Sequence, residues 1–297
     1  MKKFISLLLT LCLAFTMSIS IVNADEVTSY GLTLVDNTVT PAKTYEFTGE
    51  DLDKLATTKN HNFSGINNQG TVKIEKNIYG VNLKTLLKKA GFTTSKKLKK
   101  IKSIEFDASG DKLAINTSDL FSTRYYYSKL QKFNAVKGKV NTKSAKKNRK
   151  AVSPIIALNG PDDQNAKLYL GQEYASERNW PKFWGNITTI ILNKTSTEVT
   201  RYEAAKITIE KEVKKGTSIA FDEMNSLGKP IGGFIYYTMN GKNPSEENAY
   251  IYNYDTKQGR INAKVFSKTG NYTVKAVIRG FGKKDSKVKT FKTKVTK

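Results

Sequence analysis

The sequence predicts an α+β domain followed by a β-sandwich. Between residues 83 and 90, apolar residues recur at i, i+3, i+4 and i+7, which is typical of a short amphipathic helix. Residues 104–120 resemble two strands joined by a polar turn, so sheet follows this helix. Residues 206–297 contain short β-favouring segments, and turn residues separate them at the spacing of a sandwich.

The N-terminus has the pattern of a secretory signal peptide. Lys2 and Lys3 precede an apolar run over residues 4–22, and small residues lead to a cleavage site after Ala24. This pattern predicts a signal peptide over residues 1–24 and a secreted protein with no transmembrane segment after cleavage. The alternative is an uncleaved anchor, because the run nearly reaches the roughly 20 residues that span a bilayer.

The first predicted domain, residues 25–194, opens with a strand and a capped helix. Gly31–Val35 has the composition of a strand. Thr48 precedes two carboxylates that suit the first turn of a helix, so a short helix is expected after it. The helix of residues 83–90 has signals at both ends, since Asn82 is a favoured N-cap and Gly91 favours the left-handed conformation that ends a helix.

Four further segments follow the predicted strand pair. They are residues 153–160, 168–172, 179–184 and 187–192, which read SPIIALNG, LYLGQ, NWPKFW and ITTIIL. Together with the helix and the strand pair, this order resembles the molybdopterin-binding domain of the sulfite oxidase family over residues 32–193.

The resemblance implies a molybdopterin cofactor and oxidoreductase chemistry of the sulfite oxidase type. It also implies that turns within residues 172–184 help to enclose the cofactor or substrate. Arg178, Asn179 and Trp180 lie there, and a guanidinium fork, an amide and an aromatic surface suit a heterocycle or a sugar. With Arg124, these residues form the predicted cofactor-binding set. The alternative is that Trp180, Phe183 and Trp184 fill the edge of the domain's core.

The mature chain contains no cysteine, and in this it differs from that family. The family holds molybdenum through a cysteine sulfur upstream of the helix, and residues 61–70 contain none. The single cysteine, Cys12, lies in the predicted signal peptide, which excludes disulfides, thiolate zinc sites and a cysteine nucleophile from the mature chain. We therefore expect no metal ligand and no bound cofactor, with molybdopterin as the alternative.

Three titratable residues are candidates for chemistry, but the sequence favours no functional role for them. His61 is the only histidine, so a transition metal there would need carboxylate partners. Glu173 and Glu177 are expected to be solvated carboxylates, and the alternative is that they pair as a general acid and base.

A polar linker is predicted over residues 195–205, and the second domain over residues 206–297. Residues 233–245 and 272–286 contain motifs that resemble the C-terminal domain of the chitobiase and β-hexosaminidase family. The resemblance implies an immunoglobulin-like β-sandwich that serves as an accessory domain in secreted proteins. It implies no activity.

The charge of the chain predicts anionic partners. Lysine and arginine number 50 against 26 aspartates and glutamates, and the formal net charge is +24. Ten basic residues and no acidic residue lie between positions 124 and 150. We expect binding to anionic cell-envelope polymers or acidic polysaccharide, and nonspecific binding to nucleic acid.

These observations predict a secreted cell-envelope protein with a molybdopterin-oxidoreductase-like fold that is non-catalytic and acts as a binding module. One alternative is a molybdopterin-dependent oxidoreductase with an atypical metal ligand. A second alternative is a basic adhesin for polyanions or wall glycans.

Overall fold

A computed structural model describes residues 31–67, 71–130, 142–158, 166–179, 182–222, 226–227, 232–255 and 260–297. The predicted signal peptide lies outside these residues. Within them, no helix is long and apolar enough to cross a membrane.

The predicted α+β class is wrong, because strands dominate the structure. Strands make up 44% of the described residues and helices 12%. The described helices are α1 (Gly49–Leu55), α2 (Leu83–Lys89), α3 (Ser95–Leu98), α4 (Thr117–Leu120) and α5 (Thr142–Lys147). None exceeds two turns, so these helices cannot form a layer of their own and only cover the edges of sheets.

The described residues of the first part of the molecule, residues 31–194, form two sheets and two strand pairs. Its strands are β1 (Leu32–Asp36), β2 (Lys43–Phe47), β3 (Phe63–Ile66), β4 (Val72–Glu75), β5 (Gly80–Asn82), β6 (Ser103–Ala108), β7 (Asp111–Asn116), β8 (Arg124–Tyr127), β9 (Arg149–Val152), β10 (Ile155–Ala157), β11 (Ala166–Tyr169), β12 (Lys182–Ile187) and β13 (Thr189–Asn193). One sheet has the order β2-β1-β13-β6-β7, and the other has the order β12-β11-β10-β5. The strands β3–β4 and β8–β9 pair separately.

The amphipathic helix at residues 83–90 is confirmed as α2. Its apolar face is fully buried in the core of the first part, with Leu83, Leu86 and Leu87 each at 0% exposure. The Asn82 side chain accepts a hydrogen bond from the Lys84 N–H at 2.9 Å, which is the expected N-cap. Gly91 has φ +90°, so the helix ends in the left-handed conformation.

The second predicted strand of residues 104–120 ends earlier than expected. β7 stops at Asn116, and Thr117–Leu120 form α4. The Thr117 hydroxyl donates to the Ile101 carbonyl at 2.8 Å, and the Phe121 N–H donates to the Thr117 carbonyl at 3.0 Å. These bonds turn the chain away from β6 and place α4 beside two clefts.

The second part, residues 206–297, is built from strands alone where it is described. They are β14 (Lys206–Ile207), β15 (Glu212–Lys214), β16 (Phe221–Asp222), β17 (Phe234–Thr238), β18 (Tyr250–Asp255), β19 (Arg260–Asn262), β20 (Gly270–Arg279) and β21 (Lys289–Thr296). Six form a sheet in the order β15-β21-β20-β17-β18-β19, and β14 pairs with β16. Phe221 of the small sheet packs on Tyr237 and Tyr252 of the large one, with centroids 5.3 and 5.1 Å apart. The arrangement is sandwich-like.

A hydrophobic cluster, here called the shared core, contains residues from both parts. The first part contributes Ile66, Tyr127, Leu130, Ala145 and Ala175, and the second part contributes Phe234, Tyr236, Ala249, Ile251 and Val277. The Tyr236 hydroxyl also donates to the Ser176 carbonyl at 2.7 Å. Apolar burial therefore joins the two parts directly. The division into two domains stays a prediction.

Residues 195–205, here called the joining segment, are hydrogen-bonded along their length. Asn116 Nδ2 donates to the Thr197 carbonyl at 3.0 Å, and the Thr197 N–H donates to Asn116 Oδ1 at 2.9 Å. Further along, the Tyr202 N–H donates to the Lys284 carbonyl at 3.0 Å. The segment therefore follows the surface of both parts.

Candidate functional site

A buried ion pair lies where the two parts meet. Arg124 Nη1 is 3.0 Å from Glu177 Oε2, and both side chains are 3% exposed. The same Nη1 donates to the Gly171 carbonyl at 2.9 Å, and the Glu173 N–H donates to Glu177 Oε2 at 2.7 Å. Phe281 of the second part covers the guanidinium, which lies 4.5 Å from its ring centroid.

Burial shifts the pKa of the carboxyl group in this pair. Removal from water raises the pKa of Glu177 above its ordinary value, and the Arg124 charge and the Glu173 N–H oppose this shift. The expectation that Glu177 is a solvated carboxylate is therefore wrong. Residues 173–177 form an irregular turn, which directs Glu177 inward while Glu173 stays exposed.

Buried hydrogen bonds hold this turn in place. Gln172 accepts from the Ser64 hydroxyl at 2.8 Å and donates through Nε2 to the Glu177 carbonyl at 3.1 Å. Ser64 also accepts from the Tyr127 N–H at 2.9 Å. Strands β3 and β8 thus fix the position of the ion pair.

The structure brings together two residues of the predicted cofactor-binding set. Arg124 and Asn179 both donate to the Gly171 carbonyl, at 2.9 and 2.8 Å. Arg178 instead reaches the second part, where its Nη1 donates to the Gly233 carbonyl at 3.3 Å. Trp180 lies outside the described residues.

A cleft of about 420 Å³, here called the arginine cleft, opens beside the ion pair. It is lined by Asn116, Ser118, Asp119, Ser122, Arg124, Glu173, Glu177, Val199, Gly280, Phe281, Gly282, Lys283 and Lys284. Its walls come from α4, from the turn at residues 171–179, from the joining segment and from the second part. Positive and negative side chains are both present in the lining.

The arginine cleft does not fit molybdopterin as the sulfite oxidase family would hold it. Its lining contains three carboxylates, Asp119, Glu173 and Glu177, which balance its three cations and leave no net attraction for the phosphate of the cofactor. Arg124 already donates to Glu177 and Gly171. The mature sequence also has no cysteine to bind molybdenum.

A second cleft, of about 570 Å³, lies on the other side of α4 and is here called the lysine cleft. It is lined by Lys84, Ser95, Leu98, Lys99, Ile101, Lys102, Thr117, Ser118, Phe121 and Ser196. Three of these side chains are cations, four carry hydroxyls, and none of the described lining residues is acidic. Lys84 Nζ lies 5.1 Å from the centroid of the Phe121 ring. This lining suits an anionic ligand that also has hydroxyls.

The sequence did not predict that these residues form two clefts. The dense lysines of residues 84–102 were a visible signal, but the hydroxyls facing them come from α4 and from the joining segment. His61 has a structural role, since its Nδ1 is 3.1 Å from the Ile78 carbonyl and the residue is 7% exposed. In the part of the chain that the structure describes, no group of three metal-ligating side chains is found.

No protein-family model matches this sequence, and no curated protein matches it either. The resemblances to the sulfite oxidase family and to the chitobiase C-terminal domain therefore rest on the motifs quoted above.

Proposed function

We propose that the protein is a secreted, non-catalytic binding module of the cell envelope that holds an anionic polymer in the lysine cleft. The observation that carries this proposal is the cleft itself, in which Lys84, Lys99 and Lys102 line one concave surface with no described acidic residue among them. Cations gathered in a concavity raise the local concentration of anions more than the same charges spread over a convex surface.

The charge of the whole chain supports the same function. A formal net charge of +24 gives long-range attraction to a polyanion, which guides the polymer to the surface. The lysine cleft then adds short-range contacts, because its hydroxyls can hydrogen-bond to a polymer while its lysines pair with the charges.

The proposal includes an origin for the first part. We propose that residues 32–193 derive from a sulfite-oxidase-like domain that no longer holds its cofactor, and that binding has replaced catalysis. The missing cysteine and the carboxylates of the arginine cleft support this proposal.

The test compares two variants with the same net charge. Lys84, Lys99 and Lys102 are changed to Gln in one, and the exposed Lys287, Lys289 and Lys292 of the second part are changed to Gln in the control. Binding to hyaluronan and to a glycerol-phosphate teichoic acid is measured by calorimetry at about 0.15 M salt.

We expect the cleft variant to lose about tenfold in affinity and its salt dependence to become shallower, because fewer counterions are released. The control should change much less. Equal losses in the two variants would show that diffuse charge, and no particular site, binds the polymer.

A further inference from the structure

The lysine cleft and the arginine cleft adjoin at α4. Ser118 lines both of them, and Thr117 and Asp119 on either side line one cleft each. The joining segment forms a wall of both, with Ser196 in the lysine cleft and Val199 in the arginine cleft. The two clefts therefore share one helix and one wall.

Hydrogen bonds fix this junction. The paired bonds between Asn116 and Thr197 fasten the joining segment to the start of α4, at 3.0 and 2.9 Å. On the far side, the Lys284 N–H donates to the Thr200 carbonyl at 2.9 Å, which fastens the segment to the second part. The wall is thus anchored at both ends and does not need to form when a ligand arrives.

The two clefts differ in charge. The charged lining of the lysine cleft is cationic, whereas the arginine cleft presents Asp119 and Glu173 next to Lys283 and Lys284. Glu177 is already paired with Arg124. Asp119 and Glu173 can accept hydrogen bonds from hydroxyls. Because Lys283 and Lys284 balance their charge, the arginine cleft offers no net attraction to a closely spaced row of anions.

We infer that the two clefts form one continuous groove for an acidic polysaccharide in which sugars without charge separate the anionic ones. Anionic sugars would occupy the lysine cleft, and the hydroxyls of neutral sugars would face Asp119 and Glu173. Each cleft lies within the range of about 300–1,000 Å³ that is usual for small-ligand sites. A nucleic acid fits less well, because it carries a phosphate at every nucleotide and the charge-balanced arginine cleft offers these phosphates no net attraction. The inference rests on the proposed function.

The first experiment blocks the junction. Ser118 is exposed, so Ser118→Trp should fill the groove between the clefts without disturbing the core, and Ser267→Trp on the exposed surface of the second part is the matched control. Binding of a hyaluronan tetrasaccharide and of a hyaluronan decasaccharide is measured for each protein. Hyaluronan serves as the probe because its carboxylated and neutral sugars alternate.

We expect the unaltered protein and the Ser267→Trp control to bind the decasaccharide at least tenfold more tightly than the tetrasaccharide. In Ser118→Trp this ratio should fall to about threefold or less, with tetrasaccharide binding kept. A decasaccharide affinity unchanged by Ser118→Trp would overturn the continuous groove and leave the lysine cleft in place. If the unaltered protein binds no anionic polymer, the proposed function itself is wrong.

The second experiment tests the charge pattern. Asp119→Asn with Glu173→Gln removes the two carboxylates, so the affinity for fully carboxylated polygalacturonate and for single-stranded DNA should rise at least threefold while the affinity for hyaluronan falls. In the unaltered protein, hyaluronan should outcompete single-stranded DNA of equal charge. DNA binding as tight as hyaluronan binding would overturn the assignment to a polysaccharide.

Discussion

The burial of Glu177 shows how strongly a single residue can affect the stability of this molecule. Its carboxylate is buried against Arg124 and accepts the Glu173 N–H, and Phe281 of the second part covers the Arg124 guanidinium. A buried ion pair contributes little net stability compared with an apolar pair, but removal of one partner leaves an uncompensated charge.

We expect Glu177→Gln to lower the free energy of unfolding by about 3–5 kcal/mol, since Arg124 would stay buried without a counter-charge. Urea unfolding followed by circular dichroism measures this change. Glu173→Gln is the control, because Glu173 is exposed, and its effect should stay within about 0.5 kcal/mol.

Replacement of both partners gives a second comparison. Arg124→Leu with Glu177→Leu removes both charges and should recover most of the loss seen in Glu177→Gln. A Glu177→Gln protein as stable as the unaltered one would show that the pair is solvated and that the cleft geometry described above is incorrect.

Among the elements, α1 and α2 show what the sequence could predict. The apolar spacing, Asn82 and Gly91 are local signals, and the structure confirms the helix that they predict. The helix that follows Thr48 is also confirmed, with a capping box between Thr48 and Asp51. Local chemistry is sufficient in both cases because a cap involves residues only a few positions apart.

The elements that were missed depend on distant partners. The residues of α4 were predicted as part of a strand. The strand ends before them because the Thr117 hydroxyl donates to the carbonyl of Ile101, 16 positions earlier, and no local sequence signal marks that bond. β18 was not predicted, although its consecutive β-favouring residues Tyr250, Ile251 and Tyr252 were a usable signal. At the candidate site, Arg124 and Asn179 of the predicted cofactor-binding set share the Gly171 carbonyl, and their binding role stays a prediction. The burial of Glu177 was not predicted, because it depends on a turn that only the folded chain creates.

Gly80 gives a test at the level of the strand. It lies in β5 against β10, and an added Cβ would be 2.7 Å from Ala157 Cα and would clash with the Ile156 carbonyl oxygen. We expect Gly80→Ala to cost about 1–3 kcal/mol of unfolding free energy because the backbone of β10 would have to move. Gly185→Ala in β12 is the control, since its nearest contact would be an ordinary 3.8 Å.

Thermal and urea midpoints of the two alanine variants are the measurement. Equal midpoints would mean that β5 and β10 are further apart than the structure has them, and the sheet order of the first part would then need revision.

The whole molecule is held together by the shared core. Buried side chains of β17 and β18 pack there against Tyr127 and Ala175 of the first part. Polar contacts add to this packing, because Glu246 accepts the Ala175 N–H at 3.2 Å and pairs with Lys146 at 3.1 Å. The two parts are therefore expected to unfold together.

Ile251→Ala tests this cooperativity. Ile251 is 3% exposed, so its truncation should cost about 2–5 kcal/mol. Both tryptophans, Trp180 and Trp184, belong to the first part by sequence, so tryptophan fluorescence reports on that part alone. We expect the fluorescence midpoint to fall together with the midpoint from circular dichroism, although the substitution lies in the second part.

Val288→Ala is the matched control, because Val288 is 43% exposed and should leave both midpoints unchanged. If Ile251→Ala left the midpoint of the tryptophan-fluorescence transition unchanged, the two parts would unfold independently.

The parallel strand pairs have a consequence for the time at which the chain can fold. β1 pairs in parallel with β13, where Leu34 lies opposite Ile190, and β15 pairs in parallel with β21, where Glu212 lies opposite Lys294. Each part thus joins a strand from its beginning to one from its end, and such long-range pairings slow folding. During synthesis, β1 can pair with β2 on one edge, but its other edge has no partner until residues near 190 have been made. A chain stopped before that point would expose an unpaired strand edge that favours aggregation.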